Sequence, residues 1–259
     1  MIAHYRFGEN IMLEQSPAIT KAKQEIVNEI LKDLPSDVAI AVDLPSECRA
    51  YTLPDPDSPV TLRPMTFEDE KNIVGAKKSE DPTNIILQRC VSNINISDIL
   101  TLDKLYLLMK LREISYGDDY NTLLVCQHCK AENPTVLKLS TLNVNPVPDD
   151  FTDPVECNLP SLDKKIKVRL PRVRDEKFLN DNETALDQIW RFVEEIDGHT
   201  DKSIISAVLN KLPIKDMRTV LNAMKTDFGI DTKIKFSCQE CQEVSVIDLP
   251  IDANFFDVS

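Results

Sequence analysis

Glycine is scarce in this chain, with five in 259 residues against sixteen prolines. Loops that cradle phosphates are glycine-rich, and neither the dinucleotide G-x-G-x-x-G pattern nor the P-loop pattern occurs. Histidine is scarcer still: His4, His128 and His199 are the whole supply. None stands beside a Ser or Cys motif of a nucleophilic enzyme, and H-E-x-x-H is absent. No run of 18 apolar residues is present, which argues against a membrane span. The start, Met1-Ile2-Ala3-His4-Tyr5-Arg6, has no secretory hydrophobic region, so a cytoplasmic protein is expected. Positive charge is short as well: 30 Lys and Arg face 43 Asp and Glu, for a net charge of −13. Nucleic-acid binding draws on phosphate neutralisation, so it is not expected here. The short basic stretches Lys164-Lys165-Ile166-Lys167-Val168-Arg169 and Arg172-Val173-Arg174 read as the solvated face of a strand.

What is present is a globular composition, 42% apolar and 28% charged, in a length that fits one large domain or two ordinary ones. Seven cysteines in a reducing compartment read as thiols or metal ligands before disulfides.

The two halves of the chain echo each other. Leu44-Pro45-Ser46 leads through Val60-Thr61-Leu62-Arg63-Pro64 to Asp69-Glu70-Lys71. Leu159-Pro160-Ser161 leads through Ile166-Lys167-Val168-Arg169-Leu170-Pro171 to Asp175-Glu176-Lys177. Asp103-Lys104-Leu105 and Asp216-Met217-Arg218 each open an apolar segment, and these end at Tyr116-Gly117 and Phe228-Gly229. Nine positions after each glycine comes a Cys-Gln-x-Cys, Cys126-Gln127-His128-Cys129 and Cys238-Gln239-Glu240-Cys241. Five landmarks in one order, with offsets of 82 and 79 residues from Leu-Pro-Ser to cysteine, point to internal duplication.

The expected fold is therefore α+β, with duplicated halves that each hold a short strand region, several helices and a Cys-x-x-Cys hairpin. Residues 1–37 form an N-terminal segment with a helix over 16–34, started by Ser16-Pro17 and lined by Ile19, Ala22, Ile26, Ile30 and Leu31 up to Pro35. Residues 38–142 make the first repeat, 143–154 a proline-rich linker and 155–259 the second repeat. In the first repeat Thr66 reads as a helix N-cap before Glu68, Asp69 and Glu70. Further helices are expected from Pro82 to about Val91 and from Leu102 to Ser115, stopped by Gly117. The second repeat offers helices over 185–196, 202–211 and 216–227, the last stopped by Gly229.

Strand signals flank both cysteine pairs: Leu123-Leu124-Val125 and Val136-Leu137-Lys138-Leu139 around the first, Ile234-Lys235-Phe236 and Val244-Ser245-Val246-Ile247 around the second. Each pair thus sits at a hairpin tip, the layout of a zinc knuckle. Cys126, Cys129, Cys238 and Cys241 are the candidate ligands of one structural zinc ion. The 108 residues between the pairs exceed any simple ribbon, but equivalent hairpins related by a two-fold axis would meet face to face. Redox chemistry and an iron–sulfur cluster are the alternatives for four thiols. Lys130 and Gln242 follow the pairs where glycine would ease the turn. Cys48, Cys90 and Cys157 have no partner at ligand spacing and read as small apolar or incidental thiols, and His128 reads as a tip residue. The acids are expected in first helical turns and on solvated faces, leaving an enzyme no residue to stand on.

Leu44-Pro45-Ser46 with Tyr51, then Val60-Thr61-Leu62-Arg63-Pro64-Met65-Thr66, resembles the N-terminal signature of T4-type phage baseplate hub proteins. The likeness extends over 102–107 and Leu111-Arg112-Glu113-Ile114-Ser115-Tyr116-Gly117 to the cysteine pairs and Asn254-Phe255-Phe256, about 38–257 in all. It implies a non-enzymatic structural or assembly component of a contractile-tail baseplate hub. Its partners would be other phage tail and baseplate proteins, with no nucleic acid, membrane or small-molecule substrate. It would sit in the host cytoplasm during assembly and then in the virion. The rival from another class is a zinc-ribbon regulator that binds nucleic acid or a polymerase; a basic stripe would favour it. The terminal Phe255, Phe256 and Val258 fit equally a docking tail and a tail packed on the last hairpin.

Overall fold

With sixteen prolines punctuating the chain, strands run short and sheets stay small. A computed structural model describes residues 21–32, 39–74, 81–179, 185–249, 251 and 253–256. The chain divides into two units, Met1–Pro35 and Ser36–Ser259. In the first, α1 (Lys21–Leu31) leaves Ile26 and Ile30 exposed. The expected N-cap Ser16-Pro17, Ile19 and Pro35 lie outside the described residues.

The second unit is α+β. Strands β1 (Ile40–Ala41), β2 (Thr61–Leu62) and β3 (Val91–Ser92) form an antiparallel sheet, with α2 (Phe67–Val74) and α3 (Pro82–Cys90) between β2 and β3. Asp81 caps α3 by accepting the Thr83 N–H, and Pro82 fills the first turn, where no N–H partner is needed. Then come α4 (Thr101–Tyr116), the hairpin β4 (Asp119–Val125) to β5 (Glu132–Lys138), and the short β6 (Val144–Asn145). A second three-stranded sheet follows, β7 (Val155–Leu159), β8 (Lys164–Val168) and β9 (Val193–Ile196), with α5 (Glu176–Leu179) between β8 and β9. The chain continues through α6 (Lys202–Leu209), α7 (Ile214–Ala223), β10 (Gly229–Ile230) and the hairpin β11 (Lys233–Ser237) to β12 (Val244–Asp248).

Helix α4 is the centre of the packing. It is buried on several faces, with Leu107, Leu108, Met109, Leu111 and even Asp103, Lys104 and Arg112 enclosed. It contributes to one cluster with Leu62, Ile86 and Ile99, and to another with Tyr120, Leu139 and Phe255. The ammonium of Lys104 is held by Asp81 and Glu176, each at 2.8 Å, so the charge is not stranded. Segment 143–154 is knitted in: β6 pairs with β10, and Phe151 packs edge-to-face on Phe228 at 4.9 Å. Ala50, Leu100, Val147, Leu170 and Phe228 form a cluster drawn from both halves.

Two helix expectations are corrected. Residues 185–196 are not one helix: a 3-10 turn covers Ala185–Arg191, and Val193–Ile196 is strand β9. The free edge of β8 claims Val193-Glu194-Glu195-Ile196, burying Val193 and Ile196 and pairing Lys167 with Glu195, so tertiary pairing overrides helical propensity. Helix α7 stops at Ala223 rather than 227, and Phe228 turns into the core instead. Gly229 opens β10 at φ +105°, where a side chain would also press on Leu102. Gly117 does close α4 as expected, its N–H bonded to the Glu113 carbonyl.

The tail reading resolves toward internal packing for one residue. Phe255 is buried against Tyr120 and Phe256, and its carbonyl accepts the Arg112 Nε–H at 2.9 Å. Val258 lies outside the described residues.

Four of the acids, Asp69, Asp103, Asp175 and Asp216, stand in first helical turns as expected, but they are buried rather than solvated. Arg63 grips Asp69 with both Nη atoms at 2.7 and 3.1 Å, and Arg169 grips Asp175 likewise at 2.6 and 3.0 Å. The backbone N–H groups of Thr66 and Arg172 donate to the same carboxylates. Asp103 and Asp216, at the starts of α4 and α7, accept the N–H of Ser46 and Ser161. These carboxylates fasten the strand regions to the helices that follow.

Candidate metal centre

Both hairpins tighten into the same turn. The Cys126 N–H donates to the Ala131 carbonyl and the Lys130 N–H to the Cys126 carbonyl, at 2.9 and 3.1 Å. In the other turn Cys238 donates to Glu243 and Gln242 to Cys238, both at 3.0 Å. Lys130 and Gln242 take left-handed conformations, φ 64° and 63°, so each turn places a bulky side chain where glycine is easiest. Pro134 stands in β5, whose only strand partner among the described residues is β4, and this fits an edge strand.

The turns bring Cys126, Cys129, Cys238 and Cys241 together, with all four Sγ atoms within 4.8 Å of one another. Between the hairpins, Cys126 lies 3.7 Å from Cys241 and Cys129 3.6 Å from Cys238. Zinc–thiolate bonds of ~2.3 Å in a tetrahedron imply sulfur separations of about 3.8 Å, so the cage fits one ion. An iron–sulfur cluster would interpose several atoms and hold the thiolates further apart. Four protein sulfurs close the coordination shell, so an ion here would bind structurally and offer no open position to a substrate.

The electrostatics follow the same geometry. The Cys129 N–H leads in bringing the Cys126 thiol down to about 5, and the Cys241 N–H leads in lowering Cys238. The outer thiols go the other way. The Glu243 N–H lowers Cys241, but desolvation and neighbouring thiols outweigh it and push Cys241 up to about 12. Cys129 is raised despite the Ala131 N–H. Crowded thiols of this kind are what a divalent cation relieves, because it favours all four thiolates at once.

Other expectations find their places. His128 is exposed at the tip and stands outside the sulfur cluster. Cys90 is buried, and burial raises the thiols of Cys48 and Cys90 to about 11 and raises Cys157. The lysines of 164–167 pair on the sheet face with Asp197, Glu156 and Glu195. Arg169 and Arg172 instead reach inward, the latter to the Ala50 and Asp98 carbonyls and to Asp153. Among the described residues no helix is long and apolar enough to cross a membrane. A cavity of about 330 Å³ is lined mostly by apolar groups, Ile73, Pro82, Ile86, Ile251, Phe255 and Phe256 among them.

Two residues beside the sulfurs escape the ligand-spacing reading. Asn133 Oδ1 accepts the Gln239 N–H at 2.8 Å, and Ser245 Oγ accepts the Gln127 N–H at 3.1 Å. Each stands four places after the second cysteine of its own hairpin and reaches the residue after the first cysteine of the other. Their shared offset was the signal available in the sequence.

The class is thus an α+β protein that folds two cysteine-tipped hairpins, distant in sequence, onto one four-thiol cluster. The chain belongs to the T4 bacteriophage base plate protein family, whose profile matches residues 45–257. No match was found among curated proteins or among solved structures.

Proposed function

We propose that this baseplate protein is a non-enzymatic structural component of the hub region, whose two halves are closed on each other by one zinc ion held by Cys126, Cys129, Cys238 and Cys241. The observation that carries the clasp is the convergence of the four Sγ atoms within 4.8 Å across 108 intervening residues. The halves are read as an internal duplication, 38–142 and 155–259, joined through 143–154. The matched Arg–Asp grips, the matched serine–aspartate bonds and the reciprocal contacts between hairpins support that reading. The partners are other tail proteins, and the chain resides in the virion tail after assembly in the host cytoplasm. Family membership and the closed thiol shell support a role without catalysis.

Elemental analysis of the purified chain is expected to give one zinc per molecule. A chelator should speed the reaction of four thiols with a thiol reagent, while buried Cys90 stays slow with or without it. A metal-free protein whose thiol reactivity the chelator leaves unchanged, or an iron–sulfur absorption spectrum, would overturn the clasp. Structural zinc contributes on the order of 10 kcal/mol of apparent folding free energy, so chelation should lower the melting temperature sharply. Immunogold labelling of assembled tails tests the location; label away from the baseplate centre would overturn the hub assignment.

A further inference from the structure

We infer that Asn133 and Ser245 are positioning residues that preassemble the sulfur cage by crossing between the hairpins. This inference rests on the metal clasp proposed above and assigns the groups that hold its geometry.

Both side chains are almost fully enclosed, at 2% and 1% exposure, where an unpaired polar group would be costly. Asn133 sits on β5. Its amide nitrogen donates to the Leu124 and Ala131 carbonyls of its own hairpin, at 3.2 and 3.0 Å. That leaves Oδ1 pointing to the Gln239 N–H, and a flipped amide would set donor against donor and acceptor against acceptor. Ser245 sits on β12. Its Oγ accepts the Gln127 N–H and lies 3.6 Å from the Cys126 sulfur. Having accepted from the amide, the hydroxyl still has its own proton to donate, and the sulfur is within reach.

The two contacts form a reciprocal pair. Hairpin one supplies the acceptor for knuckle two, and hairpin two supplies the acceptor for knuckle one. Gln127 and Gln239 each directly follow a cysteine ligand, so fixing their N–H groups fixes where Cys126 and Cys238 point. An amide left unpaired between the hairpins would favour their separation. Outer groups that orient metal ligands are typically worth 10–100-fold in metal affinity. The roles differ in one respect. Ser245 can touch a ligand sulfur directly, whereas Asn133 acts only through the backbone of the opposite turn.

The test is zinc competition against a chromophoric chelator, together with cobalt(II) substitution, on the full chain. It compares the wild type with Asn133→Ala, Ser245→Ala and Ser245→Thr, and with Leu137→Ala as a packing control on β5. Each alanine variant is expected to weaken zinc binding 10–100-fold, Ser245→Thr to recover most of the loss, and Leu137→Ala to stay within about threefold. Ser245→Ala should also shift the sulfur-to-cobalt charge-transfer band, because the sulfur loses a hydrogen bond; a purely structural role would leave that band in place. Wild-type affinity in both alanine variants overturns the positioning role while leaving the clasp intact. A wild type that takes up neither zinc nor cobalt overturns the clasp itself. Should Asn133→Ala fail to fold, Ser245→Ala, which deletes a single oxygen, decides the matter alone.

Discussion

The two halves carry the same buried carboxylates in differently finished settings. Asp69 is held by two arginines, Arg63 and Arg89, and by the N–H and hydroxyl of Thr66. Asp175 has Arg169 and the Arg172 N–H. Asp103 accepts the Ser46 N–H, the Ser46 hydroxyl and the Tyr51 hydroxyl. Asp216 accepts the Ser161 N–H on one oxygen, while its other oxygen, also buried, has no hydrogen-bond partner among the described residues. What both halves keep is the bond from aspartate to the backbone that enters or leaves a strand. What varies is the side-chain dressing around it. The shared bonds set the path of the chain, and the extra hydroxyls and arginines tune the cost of burying charge.

The largest effects should come from removing the gripped carboxylates. Breaking a buried ion pair by deleting one partner typically costs about 3–5 kcal/mol. The Arg63 and Arg89 side chains are 30% and 36% exposed, so water can take over when Asp69 is lost. Arg169 is only 13% exposed. Urea unfolding of the metal-loaded chain should therefore place Asp175→Ala near the upper end of that range and Asp69→Ala near the lower. The reverse order would mean that the number of partners matters more than their burial.

Much of the scaffold was readable from landmarks. The cysteine pairs, Gly117 and helices α4 and α6 follow from spacing and periodicity, because each rests on local chemistry. Residues 193–196 were not readable, since Val193-Glu194-Glu195-Ile196 suits helix or strand and only the free edge of β8 decides. Buried aspartates look like any other acid in a first helical turn; burial depends on an arginine six positions earlier or a serine more than fifty residues away. At the metal centre the four cysteines stood out by type and spacing. Asn133 and Ser245 did not, as their partners lie more than a hundred residues off and an amide N–H leaves no mark in a sequence.

Smaller effects are expected where Asp103 and Asp216 diverge. At Asp103 the Ser46 N–H meets one carboxylate oxygen, and the Ser46 and Tyr51 hydroxyls meet the other. Asp103→Asn leaves one acceptor oxygen, so one side then faces an amide NH2, and it should cost about 1–2 kcal/mol. Asp216→Asn removes a charge from an oxygen that no described residue holds and should be neutral or stabilising by up to about 1 kcal/mol. The pH profiles separate the first pair too. Burial raises the Asp103 carboxyl above its ordinary 3.8, although Ser46 and Tyr51 pull against it. Its folded form therefore keeps the proton longer, and its contribution to stability falls as pH rises from 3.8 through the folded value. Asp69 is the opposite case. Burial would raise it, but Arg63, Arg89 and Thr66 hold it well below 3.8, so its contribution is full above 3.8 and is lost as pH falls through the folded value. Melting curves across pH should show Asp103→Asn gaining stability more steeply than wild type from pH 4 toward neutrality. Asp69→Asn should lose part of the acid-side fall. Parallel curves for all three proteins would break the contrast.

The smallest effect compares the two knuckles, where the halves agree most closely. Lys130 and Gln242 sit at φ 64° and 63°, a left-handed conformation that costs a residue with a side chain about 1–2 kcal/mol. Replacing either with glycine relieves that strain but adds chain entropy to the unfolded state, an opposing term of about 0.5–1 kcal/mol. The net expectation is a gain of roughly 0.5 kcal/mol for each variant, and about twice that for the pair. Lys130 has one further tie, its Nζ donating to the Gln127 carbonyl at 3.0 Å across the turn, so Lys130→Gly should gain slightly less than Gln242→Gly. Thermal melts at saturating zinc read both. Equal gains would mean that the exposed lysine contact contributes nothing. A loss in both would mean that these side chains hold the turns in a way their left-handed backbone does not reveal.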